Sequence, residues 1–422
     1  MNKLYMTLLC FSLLFIVACN EEQKLPNGYI EITQEKGASF ILEGYQDTQL
    51  GFVPFQANGF ASSIYIKDQK FCGKNYSFAP TWDTSDAIPQ DYDWLEETTI
   101  KEKEYYWARY KEKTLYRFIW IRVAYVSGNE VGIEYVISNH TETIPNANAN
   151  TQENACGLEI PHLNSKHTYA AHYVEANGKQ IMNLAVEWVA EKKHANWVAF
   201  SFNPTTAEDN VSRTDKWSND PILQPNTDAD YWNNFHKSDG FDKGHLCASE
   251  DRVYMKEANW QTFYYSNMSP QFNSFNGGFW QKLENKVQTW GRSTISGRLD
   301  HVYVAKGGTV NELIINHYAQ KKGSDGQWPN TDENGLTKGG LACPKYYFMA
   351  ILAEKGDNYQ AIAFWVEHRE DLPSKPTIED LQACTISIDE LESKTGIDFF
   401  CNLPDELENE VETRKELSAW QW

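Results

Sequence analysis

Two hydrophobic rhythms run along the chain. Up to residue 138 the apolar residues come in short β-branched and aromatic runs: GYIEI at 28–32, SFILEGY at 39–45, SSIYIKD at 62–68, YRFIWIRVAYV at 116–126 and VGIEYVI at 131–137. Gly, Asn and Asp separate them. Such runs predict strands, and together they predict a β-sandwich-like domain over 20–138. Residues 139–157 lose the rhythm. NHTETIPNANANTQENAC is polar and rich in Asn, and it predicts a linker. Strands then recur at 182–190, 197–203, 301–308, 346–352 and 359–368. Two stretches change period. In FNGGFWQKLENKVQTWGR, Trp280, Leu283, Val287 and Trp290 are spaced three, four and three apart, which is one apolar helix face. In TISIDELESKTG, Ser387 stands three residues before Glu390, a capping box, and Gly396 ends the helix. Strands and helices without regular βαβ alternation predict an α+β domain over 158–422.

Composition adds limits. With 41% hydrophobic and 14% aromatic residues in 422, the chain has material for more than one packed core. The formal net charge of −20 counts against a general phosphate-backbone binder. Residues 241–300 depart from that acidity, with six acidic and seven basic side chains. The N-terminus reads MNKLYMTLLCFSLLFIVACNEE. Lys3 and the apolar run Leu8–Val17, too short to span a bilayer comfortably, form an export signal. Ile16-Val17-Ala18-Cys19 resembles a bacterial lipobox, which implies cleavage after residue 18 and lipid on Cys19. The acidic Asn20-Glu21-Glu22 resembles the tags of surface-displayed Bacteroidetes lipoproteins. The expected location is therefore the outer membrane, through that anchor, with no transmembrane helix. The 20–138 region weakly resembles the Ig-like modules that follow such anchors. Six further cysteines in an exported chain favour disulfides. Cys384 with Cys401 is the expected pair, and Cys247 with Cys343 a second.

Candidate chemistry gathers in one stretch. GFDKGHLCASEDR places His245 behind Asp242, Lys243 and Gly244; TFYYSNMSPQ carries Asn267; the helix beyond starts near Asn276 and carries Glu284. Phosphodiester hydrolysis needs a base for water, a cation beside phosphate and donors for developing charge. A histidine suits the base. An asparagine offers a neutral oxygen to a hard cation that keeps most of its waters. If 276–284 is α-helical throughout, its rise is about 12 Å. Glu284 then suits a role behind the metal's waters better than direct ligation.

FDKGHLCASEDR followed by TFYYSNMSPQFNSFNGGFWQKLENKV resembles the DNA/RNA non-specific endonucleases of the ββα-metal class. Their signature is Asp-Arg-Gly-His, a downstream Ser-Asn-x-x-Pro-Gln and an Asn-to-Glu helix. The likeness continues through most of 158–410. It implies an antiparallel sheet with flanking helices and DNA and RNA as substrates. By motif position it implies His245 as general base, Mg²⁺ (or Mn²⁺) at Asn276, Glu284 ordering the metal's waters and Asn267 in support. Two positions depart from the pattern. Lys243 replaces the signature arginine and loses its bidentate fork. Gln288 stands where the family usually has another arginine, and Arg292 is one turn away. Three functions follow for testing: a non-specific exported endonuclease, a catalytically weakened nuclease-fold lipoprotein that binds nucleic acid or serves structurally, and a phosphodiesterase for another extracellular substrate.

Overall fold

A computed structural model describes residues 99–422, apart from 113–114, 129 and 224–238; before residue 99 it describes only strand backbone. The export signal and Cys19 lie outside the described residues. Two units divide at Thr143/Ile144.

Among the described residues the first unit holds ten strands: β1 Asn27–Thr33, β2 Ser39–Ile41, β3 Gln49–Pro54, β4 Ala61–Ile66, β5 Phe71–Tyr76, β6 Trp94–Leu95, β7 Glu97–Thr99, β8 Tyr105–Glu112, β9 Leu115–Ser127 and β10 Glu130–Thr143. They form two antiparallel sheets, ordered β1-β10-β9-β8-β5-β6 and β2-β3-β4-β7. Phe118, Ile121, Val131, Ile133 and Ile137 are buried on the long strands.

The second unit is built on a seven-stranded antiparallel sheet ordered β11-β12-β13-β16-β17-β18-β19. These strands are β11 Thr168–Ala176, β12 Lys179–Val189, β13 His194–Phe202, β16 His301–Gly308, β17 Tyr346–Lys355, β18 Asn358–Glu367 and β19 Thr385–Ile386. The remaining two, β14 Asp242–His245 and β15 Met268–Gln271, pair apart from it. Successive side chains alternate between sheet faces. On β13, Val198, Phe200 and Phe202 enter one core while Trp197 and Ala199 enter the other; on β17, Met349 and Ile351 oppose Phe348, Ala350 and Leu352. Both faces are therefore covered, which explains the unbroken apolar run at 346–352.

One face is covered by helix α2, Gln281–Arg292, with Trp280, Leu283, Val287 and Trp290 inserted as the periodicity predicts. A shorter helix, α1 Lys256–Gln261, precedes it. Following α3, Ile378–Gln382, the other face receives α4, Ile388–Thr395, and α5, Asp405–Thr413, through Ile388, Leu391 and Val411. The Ser387–Glu390 capping box forms, and Gly396 closes α4 at φ 69°, where a side chain would be strained. The architecture is α+β.

Two expectations need correction. The polar tract is not a free linker. Residues 139–143 finish β10, and beyond them Asn146 Nδ2 donates to the carbonyls of Cys401 and Leu403 at 3.0 and 2.6 Å. Asn150 Nδ2 donates to Pro161 O, and Asn150 N donates to Asn402 Oδ1, both at 3.0 Å. Asparagine amides can satisfy backbone groups of irregular chain, so a composition that reads as solvated docks instead. Among the described residues the expected disulfides are also absent: Cys156, Cys247, Cys343, Cys384 and Cys401 are all free thiols, and the Cys72 side chain lies outside the described residues. Cys384 packs beside the core on the α2 face, whereas Cys401 lies in the core on the α4–α5 face, so the sheet separates them. Cys247 and Cys343 sit unbonded in one core.

Candidate active site

Antiparallel pairing of β14 with β15 sets Lys243 opposite Pro270, Gly244 opposite Ser269 and His245 opposite Met268. The chain then enters a π-helical turn, Phe275–Trp280, and continues as α2. Lys243 and His245 lie on β14, Asn267 in the 3-10 turn before β15, Asn276 in the π turn and Glu284 on α2.

Lys243 and His245 share a strand face. Trp217 meets both: its ring centroid is 5.6 Å from that of His245 and 4.4 Å from Lys243 Nζ. Phe263 stands edge-on to His245 at 5.1 Å. Gly244 must be glycine, because a Cβ there would stand 2.2 Å from Gln271 Cδ, and Gln271 is fully buried.

His245 Nε2 is enclosed and has no hydrogen-bond partner. Burial lowers the ring's pKa to about 3, helped by the Arg213, Lys306 and Lys243 charges and opposed by a hydrogen bond to the Lys243 carbonyl. A carbonyl can only accept. With Nε2 unpartnered, Nδ1 must carry the proton and Nε2 the lone pair. The imidazole is neutral at pH 7 with its basic nitrogen free. Lys243, whose pKa is lowered by burial, rests on aromatic faces, with Tyr265 5.7 Å from its Nζ.

Asn276 Nδ2 donates to Asp242 Oδ2 at 3.1 Å, an oxygen that Asn273 Nδ2 also reaches at 2.9 Å; Ser324 Oγ donates to Asp242 Oδ1 at 2.8 Å. The carboxylate fixes the asparagine amide. That leaves Asn276 Oδ1 as the oxygen for a cation, and the donor set fits a hard metal that keeps its waters. The π turn alters the expected relation to Glu284. Eight α-helical residues would leave the two side chains about 80° apart around the axis. A π turn absorbs one residue, so the spacing becomes about two turns and both side chains fall on one face.

Glu284 is 9% exposed and belongs to a buried network that the sequence reading missed. Lys306 Nζ, fully buried, lies 2.8 Å from Asp251 Oδ2 and 3.7 Å from Glu284 Oε1. Gln288 Nε2 donates to Asp251 Oδ1 at 3.0 Å, and Ala248 N to Asp251 Oδ2 at 2.9 Å. Burial pushes the Glu284 carboxyl up to about 8, against the pull of Lys306 and with the push of Asp251. Glu284 Oε1 has no hydrogen-bond partner.

Asn267 takes a positioning role. Its Oδ1 accepts from Cys247 N at 2.8 Å, and its Nδ2 donates to the carbonyls of Cys247 at 2.8 Å and Thr262 at 2.7 Å. One amide hydrogen and the oxygen thus hold Cys247, just beyond His245, and the other hydrogen ties Asn267 to Thr262. Arg292 lies toward the surface, 3.5 Å from Glu250 Oε2 and 3.9 Å from Asp209 Oδ2.

The family model for DNA/RNA non-specific endonucleases matches residues 166–406, a span that contains the hairpin, the helix and the sheet. The chain belongs to this family. Nuclease C1 of Cunninghamella echinulata var. echinulata is 30% identical over 184 residues, 43% of this chain and 64% of that protein. A nuclease of Nostoc sp. is 26% identical over 54% of this chain and 75% of its own length. Human mitochondrial endonuclease G is 26% identical over 42% and 52%. The chain thus spans about half to three quarters of these relatives. A solved EndoG/EndoGI complex aligns with a TM-score of 0.40 at 18% identity, over 56% of this chain and 87% of that one.

Within this member of the family, sequence reading missed Asp251, Lys306 and Arg213. The first two had a signal. Lys306 is a lone charge inside the apolar strand HVYVAKGG, and Asp251 is the last residue but one of the quoted histidine motif. A charge in a buried strand requires a partner. Arg213 gave none. It reaches the site through space, with its Cζ 4.7 Å from the Phe263 ring that touches His245.

Proposed function

We propose that this chain is an exported, metal-dependent endonuclease that hydrolyses phosphodiester bonds of DNA and RNA with little sequence preference. The observation that carries the reading is His245 Nε2, a neutral, unpartnered nitrogen enclosed beside cationic side chains in the family's hairpin. His245 takes a proton from water as it attacks phosphorus, leaving a 5′-phosphate end. An arriving phosphate places negative charge near the imidazole and raises its basicity from its low resting value. Lys243 and Arg213 face the phosphate. Lys243 does so as a point charge held by aromatic rings, not as a planar fork. A hard divalent cation, Mg²⁺ or Mn²⁺, at Asn276 would supply charge for the developing 3′ oxygen. Asp242 orients the Asn276 amide, Asn267 holds the backbone behind His245, and Glu284 accepts hydrogen bonds from ordered water. Base edges play no part in this arrangement, which supports low sequence preference.

The N-terminal motif supports processing at Cys19 and attachment to the outer membrane by lipid, with display at the cell surface. Among the described residues, no helix is long and apolar enough to cross a membrane. Digestion of plasmid and RNA with and without EDTA, alongside His245→Ala, tests the reading. Undiminished cleavage by the variant removes His245 as base. The absence of any cleavage by the metal-loaded wild type favours the weakened, nucleic-acid-binding scaffold, to which Lys243 and Gln288 already point.

A further inference from the structure

A second concentration of charge lies away from the catalytic hairpin, on the opposite face of the sheet. Asp389 and Glu392 are three residues apart on α4, and Glu408 and Glu412 are four apart on α5. Residues at those spacings share a helix face. An oxygen from each of Asp389, Glu392 and Glu412 lies within 4.8 Å of the others. Two packed helices therefore turn like charges toward each other. The charges acting most strongly on Glu412 are Glu392, Glu408, Asp398 and Asp389, all carboxylates.

One orphaned oxygen belongs to the cluster itself, and a second lies on a neighbour of Glu408. Glu412 is 6% exposed, and its Oε1 is buried without a hydrogen-bond partner. Asn148 Nδ2 donates to Asp398 Oδ2 at 3.2 Å and Glu408 Oε1 at 2.9 Å, while its Oδ1 is buried without a partner. Buried acceptors with no donor are costly, and crowded carboxylates lacking a cation compound the cost.

We propose that Asp389, Glu392 and Glu412 form a binding site for a hard divalent cation of calcium's size, which fastens α4 to α5. The ligand set selects the ion. Calcium–oxygen distances of 2.3–2.6 Å place ligands up to about 5 Å apart across the ion, so oxygens within 4.8 Å of one another can share it. Calcium also accepts irregular, six- to eight-fold oxygen coordination, which carboxylates on two helices can supply with water. The site is separate from the catalytic residues and does not depend on the proposed activity.

The experiment follows thermal unfolding and calorimetric binding of the EDTA-treated full chain with added CaCl₂ or MgCl₂. Asn276→Ala serves as the background that removes the proposed catalytic metal ligand. Calcium is expected to raise the unfolding temperature in both wild type and Asn276→Ala, and magnesium to raise it less in Asn276→Ala. Glu412→Gln should abolish the calcium-dependent rise and, with repulsion relieved, unfold at a higher temperature than wild type in EDTA. If Glu412→Gln does not fold, the exposed Asp389→Asn is expected to weaken calcium binding at least about tenfold. No calcium effect in Asn276→Ala, or an undiminished one in the cluster variants, overturns the proposal and leaves a cluster neutralised by protons.

Discussion

Lys306→Met tests the buried network most directly. Lys306 has no solvent exposure, and its ammonium serves two carboxylates, Asp251 at 2.8 Å and Glu284 at 3.7 Å. Methionine keeps the length of the side chain and removes the charge. Asp251 would retain the Gln288 amide and the Ala248 N–H, but no cation. Removing one partner of a buried pair costs about 3–5 kcal/mol, because the remaining charge is stranded in the interior. Glu284, whose pKa is already raised by burial, would become harder to ionise. The loss should therefore be larger at pH 8 than at pH 6, where a protonated Glu284 needs no partner. Urea unfolding at both pH values measures this. Adding Asp251→Asn removes the stranded charge, so the double variant should be more stable than the sum of the single losses predicts. A loss below about 1 kcal/mol, or strict additivity, would refute the network reasoning.

Other consequences are more local. His368 is 2% exposed, and burial lowers its pKa to about 3. It is neutral in the folded chain yet protonated below about pH 6.5 when unfolded. Its contribution is therefore lost as pH falls from 6.5, at about 1.4 kcal/mol per pH unit. The stability gap between wild type and His368→Gln should narrow by about 2 kcal/mol between pH 7.5 and pH 5; a constant gap contradicts the assignment. Gly244→Ala should cost about 1–3 kcal/mol by overpacking and reduce cleavage, because the clash with Gln271 sits between Lys243 and His245. Normal stability with normal activity would show that Gln271 yields. Alkylation of the denatured, unreduced chain should label Cys384 and Cys401 separately by mass spectrometry. A Cys384–Cys401 linked peptide would show that the two thiols pair despite lying on opposite faces of the sheet.

The legible parts of the sequence were those governed by local rules. Period gave the face of α2, Ser387 and Gly396 gave the ends of α4, and alternation gave the strands. The meeting of the His245 strand with the Asn276 turn was legible because motif spacing records which elements come together. The failures share a physical cause. Asn146 and Asn150 looked solvated because composition does not say where an amide will find partners. Cys384 and Cys401 looked paired because sequence proximity says nothing about a sheet between them. The π turn at Phe275–Trp280 was invisible, since a single absorbed residue leaves the apolar face of α2 intact while re-aiming Asn276. Asp251 and Lys306 lie 55 residues apart, and only the fold brings them together.

Gln288 joins the network to the family departure. Two carboxylates, Asp251 and Glu284, share one buried cation. Asp251 has the closer contact and the Gln288 amide as well. Glutamine satisfies a lone pair but adds no charge, so little offsets the burial that, with the push of Asp251, raises the Glu284 carboxyl to about 8. The arginine usual in the family would balance the charges. Gln288→Arg should therefore lower the Glu284 pKa. A carboxyl raised in the folded state binds more protons there than in the unfolded chain, so its stabilisation is present at low pH and lost as pH rises toward 8. Lowering the folded value flattens that loss. If ionised Glu284 is needed for cleavage, the acid limb of the rate profile at saturating Mg²⁺ should also move to lower pH. One unit would correspond to about 1.4 kcal/mol. Arg292 cannot supply the missing charge while it faces Glu250 and Asp209. An acid limb unchanged in a folded Gln288→Arg chain would mean that Glu284 does not set the pH dependence, and that the substitution at 288 leaves the site electrostatically whole.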